Sequence, residues 1–465
     1  MKTSSVSRIV LSLVAGSCMS GAALAGDGPD VIVGDLPDFS SYTPFNGIAA
    51  FAVGTTSCNV GNRNLAWVSS TNQHPVIGQN LYRWRLVNGA GQYEQIGASW
   101  LKHGFTALNG TICGPCSNPD GTGATLDPTC SDPYSAGLNG SQSRLGPRSQ
   151  VNAYTGFYPY PFTASAIPTD ASSTIWRRLQ VRVNDVLPSA NPGAWYFAEG
   201  HYIAADDAAA GNSVNNAAYR RVNITGTSTA LTMSTVAGFT TQRTLPAIYG
   251  WTVAEPGVTV RSVVVPNEGT FNIAYKVTAL ANGMYHYEYM LHNLNSDRSA
   301  ASFQLNLPGM GSSEFTEFAN VGFRDVESHS GEPYSNVDWT SNRTSGAFGW
   351  ACTQTFTQNA NANALRWGTS YTFRFDSNMP PVDGTATIGL FKTGTPAAIN
   401  VAGMKVPANA PCIGDFNQDG GTDGSDVSAF FGSWENADAS ADVNRDGGID
   451  GSDVERFMVQ WVAGC

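Results

Sequence analysis

An acidic pattern near the end of the chain recurs after 27 residues. In each copy, oxygen-bearing side chains stand at positions 1, 3, 5, 9 and 12 of a loop, with glycine at position 6. These side chains are Asp415, Asn417, Asp419, Asp423 and Asp426 in the first loop, and Asp442, Asn444, Asp446, Asp450 and Asp453 in the second. Calcium takes about six to eight oxygen ligands in such loops, including a backbone carbonyl at position 7. The pattern therefore predicts two bound Ca2+ ions, with Gly421 and Gly448 supplying the carbonyls.

Each loop leads into a segment with the hydrophobic spacing of an amphipathic helix. Apolar residues fall at i, i+3, i+4 and i+7 in both copies: Val427, Phe430, Phe431 and Trp434, and then Val454, Phe457, Met458 and Trp461. Over the twenty residues from Asp415 to Trp434, twelve are identical to their partners in the second copy. A disordered acidic tail would not need glycines and paired aromatic residues in register. The repeat therefore favours two loop–helix units that share a core.

The repeat resembles a dockerin, the module that binds a cohesin domain in cellulosomes. Both loops end in aspartate, at Asp426 and Asp453, whereas an ordinary EF-hand loop ends in a bidentate glutamate. Pro411-Cys412 and Gly464-Cys465 are similar to the ends of the dockerins called GC-type in anchored bacterial proteins. The resemblance covers residues 411–465, here named the C-terminal module. It implies a small α-helical calcium-binding module that docks to a cohesin-like or other surface protein.

Two further features of the C-terminal module bear on its partner and its ends. Loop positions 10 and 11 are Gly424-Ser425 and Gly451-Ser452, where cellulosomal dockerins often carry a Ser-Thr pair used in recognition. Cys412 and Cys465 bracket the module, so a disulfide between them would clamp its two ends.

The remaining cysteines leave three interpretations open. Structural disulfides are the default for an exported protein, and the residues concerned are Cys58, Cys113, Cys116, Cys130 and Cys352. Cys113, Cys116 and Cys130, with His103, also have the spacing of metal ligands, which would make this a secreted Cys/His metalloprotein. The sequence Cys113-Gly114-Pro115-Cys116 matches the tetrad of thioredoxins, but a turn-forming sequence follows it instead of a long helix.

The start of the chain has the features of a secretory signal peptide, residues 1–25. A basic start, an apolar run and Ala23-Leu24-Ala25 predict cleavage after Ala25 and a secreted or surface location. No later segment is apolar enough to predict a transmembrane span. The net charge is −11, and the C-terminal module alone carries eleven acidic and two basic residues, a net of −9. This balance argues against nucleic acid as a partner.

The elements that carry these sites are expected to be mainly β. Large apolar residues alternate at Tyr285, Tyr287, Tyr289 and Leu291, and Gly- and Asn-rich turns separate similar segments. The spacing predicts one or two antiparallel β-sandwich domains. We expect a loop-rich β domain over 26–235, a β-sandwich domain over 236–395, a linker over 396–410 and the C-terminal module over 411–465.

Within 26–395, three polar clusters have residue types that could perform acid–base chemistry. They are Glu199, His201, Asp206 and Asp207; His286, His292, Asp297 and Arg298; and Asp325, Glu327, His329 and Glu332. Each pattern is also commonplace in hydrogen-bonded loops, and no known enzyme motif accompanies them, so the catalytic residues stay unassigned.

Besides the secreted Cys/His metalloprotein, two functional hypotheses follow from the sequence. In the first, the C-terminal module docks a β-sandwich passenger to a partner or to the cell exterior. In the second, the passenger is an extracellular polysaccharide-degrading O-glycosyl hydrolase, with polysaccharide as a further partner. Aromatic residues could stack on sugar rings, although burial in a core is their commoner use; they are Trp84, Trp100, Trp195 and Trp251. Two carboxylates in an open groove would favour the enzyme.

Overall fold

The computed structural model describes residues 27–117, 121–162, 174–307, 318–327, 332–344, 346–408, 412–419, 421–444 and 446–464. The chain is 42% strand and 14% helix. Its sheets are antiparallel, which confirms a mainly β protein. The expected signal peptide lies outside the described residues, as do His329 and Cys465. No helix in the described ranges is long and apolar enough to cross a membrane.

The first β unit spans residues 31–235. Its strands are β1 Val31–Asp35, β2 Phe39–Phe45, β3 Ile48–Val53, β4 Thr55–Asn59, β5 Leu65–Ala66, β6 Val76–Val87, β7 Ala90–Ala98, β8 Leu101–His103, β9 Thr125–Leu126, β10 Ser131–Tyr134, β11 Leu145–Gly146, β12 Leu179–Arg182, β13 Trp195–Ile203, β14 Ala217–Thr227 and β15 Ala230–Thr235. The large sheet has the order β15-β14-β13-β6-β7-β12-β3-β2, and a small sheet has the order β1-β4-β10. Apolar residues of both sheets, including Val33, Phe51 and Leu81, form one buried core.

Short helices interrupt and follow these strands. They are α1 Ala136–Asn139, α2 Val183–Val186, α3 Ala205–Ala210 and α4 Gly250–Ala254, with 3₁₀ turns at Gln142–Arg144, Arg148–Gln150 and Ala247–Tyr249.

The second β unit spans residues 259–407 and is a sandwich of two antiparallel sheets. Its strands are β16 Thr259–Val265, β17 Gly269–Ala279, β18 Tyr285–Asn293, β19 Ala300–Asn306, β20 Ala319–Arg324, β21 Thr340–Thr344, β22 Ala347–Ala351, β23 Thr369–Ser377, β24 Pro381–Leu390 and β25 Ala398–Pro407. The two sheets have the orders β16-β17-β18-β23-β20 and β21-β22-β19-β24-β25. Aromatic rings fill the space between them, and Phe303 lies 5.8 Å from Tyr289 and 4.9 Å from Phe373, measured between ring centroids.

The expected linker over 396–410 is wrong for most of its length. Strand β25 occupies Ala398–Pro407 and pairs with β24 along its length. Ile399, Val401, Met404 and Val406 are buried in the sandwich core, so this segment contributes apolar side chains that a linker would not have. Small residues between them gave the segment the composition of a linker. The second β unit therefore extends to Pro407, beyond the expected boundary at residue 395.

The two β units meet through a second aromatic core. It includes Tyr82, Tyr93 and Phe197 of the first unit, Trp251 of α4, and Met290 of β18. The rings of Tyr93 and Trp251 are stacked, with centroids 6.0 Å apart. Strand β18 thus buries both faces, because its tyrosines face the sandwich core and the alternate residues face the first unit.

The C-terminal module holds the helices α5 Gly424–Glu435 and α6 Gly451–Ala463, with a 3₁₀ turn at Ala439–Ala441. Phe430 and Phe457 are fully buried, and their rings stack with centroids 4.1 Å apart. Trp434 and Trp461 pack against this core, which is formed within residues 413–461. Both helices begin with a reciprocal capping box, in which the first-turn aspartate and the N-cap aspartate accept each other's backbone N–H groups.

Candidate functional site

The two acidic loops have nearly identical internal geometry. In the first, Asp426 accepts hydrogen bonds from the backbone N–H groups of Asn417 at 3.1 Å and Asp423 at 2.9 Å. In the second, Asp453 accepts the equivalent bonds from Asn444 at 3.1 Å and Asp450 at 2.9 Å. Both terminal aspartates are fully buried. Each loop is therefore closed onto the carboxylate that stands first in its helix.

Local donors surround the aspartates at loop position 9. The hydroxyl and the backbone N–H of Ser425 both donate to Asp423 and lower the pKa of its carboxyl. Ser452 does the same for Asp450. A calcium ligand must be deprotonated, and a lowered pKa favours that form of these two expected ligands.

The second loop offers an independent sign that a cation fits. One carboxylate oxygen of Asp442, at loop position 1, is buried and has no hydrogen-bond partner among the described residues. Its other oxygen accepts the N–H of Gly447 at 3.1 Å. Gly447 has φ of +88°, the left-handed conformation that the sharp turn at position 6 needs and that glycine tolerates best. A buried anionic oxygen without a donor is costly, and calcium would satisfy it.

The loop carboxylates mostly bond to backbone N–H groups. Within the described ranges, no group of three or more His, Cys, Asp and Glu side chains is arranged as a ready metal site. The sequence-based ligand set depends on asparagine amides and backbone carbonyls as well as carboxylates, and it stays a prediction.

Each helix of the module also forms a hydrogen bond with the loop that precedes the other helix. The indole N–H of Trp434 in α5 donates to the carbonyl of Asp450 at 3.1 Å. The indole N–H of Trp461 in α6 donates to the carbonyl of Asp423 at 2.8 Å. The two loop–helix units therefore form equivalent hydrogen bonds with each other, as an approximate two-fold symmetry would give.

A separate cleft opens between the two β units, and we name it the interdomain cleft. Its volume is about 470 Å³, within the usual range of about 300–1,000 Å³ for ligand sites. It is lined by the arginines Arg85, Arg182, Arg324 and Arg374, and by the carboxylates Glu94, Asp185, Asp325, Glu327 and Asp338. Ile96, Phe323 and Val326 provide apolar surface.

A network of buried ion pairs, including one between the two units, contributes to the lining of this cleft. Arg374 of β23 contacts Glu94 of β7 at 2.8 Å and Glu288 of β18 at 2.9 Å. Arg83 of β6 contacts Glu94 at 2.6 Å. Burial alone would raise the pKa of Glu94, but Arg374, Arg324 and Arg83 together lower it. The network fixes how the walls of the cleft face each other.

Comparisons with known proteins do not identify a family. No protein-family model matches the chain, and no curated protein matches it. Among solved structures, the exo-chitosanase CsxA of Amycolatopsis orientalis is similar over 78% of this chain and 26% of its own, at 7% identity and a TM-score of 0.15. A variant of that enzyme in complex with PNP-beta-D-glucosamine is similar over the same shares, at 9% identity and a TM-score of 0.13. The chain thus spans about a quarter of the length of these structures, and TM-scores this low carry no argument.

The structure resolves the choice among the uses of the cysteines. Cys58 is bonded to Cys113, and Cys116 is bonded to Cys130. The metal site on Cys113, Cys116, Cys130 and His103 is therefore wrong, because those sulfurs are consumed in disulfides. The thioredoxin-like dithiol is wrong as well, since its two cysteines pair with different partners. Cys352 carries a free thiol.

Cys412 is disulfide-bonded. Its expected partner, Cys465, lies outside the described residues, so the Cys412–Cys465 pair stays a prediction.

The first polar cluster serves the interior of the first unit. Glu199 is fully buried and accepts hydrogen bonds from Asn80 at 2.6 Å and from the N–H of Ala247 at 2.5 Å. Burial raises the pKa of Glu199 to about 7. Asp206 and Asp207 accept backbone N–H bonds that tie α3 to neighbouring segments. His201 is buried, and burial lowers its pKa to about 3.

The residues of the second polar cluster contact different partners. His286 contacts Asp376 at 2.7 Å and Glu288 at 3.1 Å, whereas His292 contacts Asn272 at 3.2 Å. Asp297 forms an ion pair with Lys392 at 2.8 Å. The pattern therefore does not form one site.

The third cluster does reach a cavity. Asp325 and Glu327 line the interdomain cleft, and Glu332 lines a narrow pocket beside it that shares Val326 and Glu327. Burial raises the pKa of Asp325 to about 6, although Asn363 donates to it at 2.6 Å. The sequence did not indicate the arginines of the cleft, because they come from strands far apart in the chain.

Two of the four tryptophans expected as sugar platforms are buried. Trp100 and Trp251 have 1% and 0% of their surface exposed, so neither presents a free ring face. Trp84 and Trp195 are half-buried and pack edge to face at 6.0 Å, and Arg221 covers the ring of Trp195 at 3.4 Å.

Proposed function

We propose that the C-terminal module binds two Ca2+ ions and, in that state, docks the β passenger to a cohesin-like or other surface protein. The protein would be exported after cleavage near Ala25 and would act on the outside of the cell. The observation that carries this proposal is the repeat itself: two loops with the same ligand types and the same closing hydrogen bonds surround one shared core.

Calcium supplies the charge that the loops lack. Without a cation, the carboxylates of each loop repel one another, and a core centred on Phe430 and Phe457 offers little to offset the entropy of the chain. The chain's own residues would position the ion: Asp415 and Asp442 start the loops, and the buried Asp426 and Asp453 end them. Metal binding would therefore couple to folding of the docking surface.

The test is capture of the full mature chain, residues 26–465, by an immobilised cohesin domain and by an outer-surface protein fraction. Capture should occur in calcium and be lost in excess chelator. Replacing Asp415 and Asp442 by Ala together should abolish it. Replacing Ser425 and Ser452 by bulky residues should spare folding and weaken capture alone. Capture of the double Asp variant in chelator with unchanged affinity would refute calcium-gated docking.

A further inference from the structure

The interdomain cleft has the location and rigidity of a ligand site. Its walls come from both β units, and the buried contact from Arg374 of the second unit to Glu94 of the first joins them. Ligand sites occur preferentially where two domains meet, in cavities of this size. The ion pairs would join the two β units equally well if side chains filled the space above them.

The charges around the mouth are nearly balanced. Four guanidinium groups and five carboxylates line the described surface of the cleft, and several are paired with each other. A polyanion would face the carboxylates, and a polycation would face the guanidinium groups, so either would meet repulsion along part of the cleft. The balance favours a ligand without net charge.

Some polar groups at the mouth of the cleft can form further hydrogen bonds with a ligand. Asp338 is exposed and forms no ion pair with any described residue. The side chain of Arg85 is one-third exposed, and one terminal nitrogen of its guanidinium group donates to Gln92 at 3.3 Å. Asp325 accepts hydrogen bonds from Asn363 and from its own backbone N–H, and a carboxylate can accept about four. The site thus offers both acceptors and donors at close range.

The narrow pocket beside the cleft shares Val326 and Glu327 with it, and both charged and uncharged polar groups line this pocket. Its lining includes the charged residues Arg148, Glu332 and Arg366 and the uncharged polar residues Tyr334, Ser335 and Thr369. Sugar hydroxyls both donate and accept hydrogen bonds, and sugar rings present apolar faces to aromatic and aliphatic side chains. We propose that the interdomain cleft binds a neutral oligosaccharide, with Asp325, Asp338 and Arg85 bonding its hydroxyls. This proposal does not depend on the C-terminal module.

The test is calorimetric titration of the full mature chain with neutral hexasaccharides of glucose, xylose and mannose. Polygalacturonate and a glucosamine hexamer serve as the anionic and cationic comparisons. At least one neutral hexasaccharide should bind, and Asp338→Ala and Asp325→Asn should each weaken that binding about tenfold. Asp338→Ala removes a hydrogen bond to a charged group, and Asp325→Asn replaces a charged acceptor by a neutral one. Asp338 is exposed and unpaired among the described residues, so its variant should fold even if Asp325→Asn does not.

Asp383→Ala is the matched control, because Asp383 is 86% exposed on β24 and is not among the residues that line the cleft. Its affinity should equal that of the unsubstituted chain. The proposal is overturned if no neutral hexasaccharide binds, if only a charged one binds, or if both cleft variants bind as tightly as the control.

Discussion

Trp461 donates a hydrogen bond from its indole N–H to the backbone carbonyl of Asp423, at 2.8 Å and 38 residues earlier in the chain. Trp434 makes the equivalent bond to Asp450 at 3.1 Å. Each helix of the C-terminal module therefore supports the loop that precedes the other helix. Calcium binding in one loop should depend on the helix that follows the other.

The first prediction concerns the hydrogen bonds that the two tryptophans donate to these loops. Trp461→Phe keeps an aromatic ring in the core but removes the donor to Asp423, a loss of about 0.5–1.5 kcal/mol for a typical hydrogen bond. In an Asp442→Ala background, which disables the second loop, calcium affinity of the first loop should fall by about two- to twelvefold, measured by calorimetry. Trp434→Phe in the same background is the control and should have a smaller effect. Equal affinities in all three proteins would contradict the coupling.

The second prediction concerns the ion network below the interdomain cleft. Glu94→Gln removes the buried anion that Arg374 and Arg83 share. Each arginine keeps one other carboxylate, Glu288 for Arg374 and Asp185 for Arg83, so the loss should lie at the lower end of the about 3–5 kcal/mol that breaking a buried pair costs. The free energy of unfolding in denaturant should fall by that amount. Glu327→Gln removes a carboxylate from an exposed ion pair with Arg182, and should cost less than about 1 kcal/mol. Equal losses in the two variants would show that the network does not join the β units.

The third prediction concerns pH. Burial alone would lower the pKa of His286, but Glu288 and Asp376 raise it above 6.5. The folded state therefore binds this proton more tightly than the unfolded chain does. The resulting stabilisation is fully present below pH 6.5 and is lost as pH rises through the higher pKa of the folded state.

The Tm of the unsubstituted chain should therefore fall over that window relative to His286→Gln, which has no titrating ring. Thermal melts of both proteins at several pH values give the difference. A constant difference between the two Tm values at every pH would contradict the assignment.

Parts of the fold follow from local sequence pattern. The period-two alternation of Tyr285, Tyr287 and Tyr289 predicted a strand, and the structure places Tyr287 and Tyr289 in the sandwich core with Tyr285 packed against it. The alternation could not show that Glu288 and Met290 face the first β unit, because a contact with a distant strand leaves no local signal. Strand β25 was missed for a related reason: its outward residues are small, and its partner β24 determines its conformation.

The acidic loops and the interdomain cleft also differ in how far local sequence could predict them. The expected ligands of one acidic loop lie within twelve residues, so their spacing could be recognised in the sequence alone. The cleft brings Arg85 together with Asp325 and Arg374 across the chain, and only the tertiary fold determines that meeting. Cys113 and Cys116 show the risk of local spacing, since each bonds to a distant cysteine instead of a shared metal.

The fourth prediction tests the central claim most directly: calorimetric titration of calcium into the metal-free mature chain, residues 26–465. Two ions should bind per chain, and Asp442→Ala should reduce the stoichiometry to one because it removes the position-1 ligand of the second loop. Asp383→Ala, which changes an exposed aspartate on β24, should leave two. No heat of binding, with the same far-UV circular dichroism in calcium and in excess chelator, would contradict the calcium module on which the proposed docking depends.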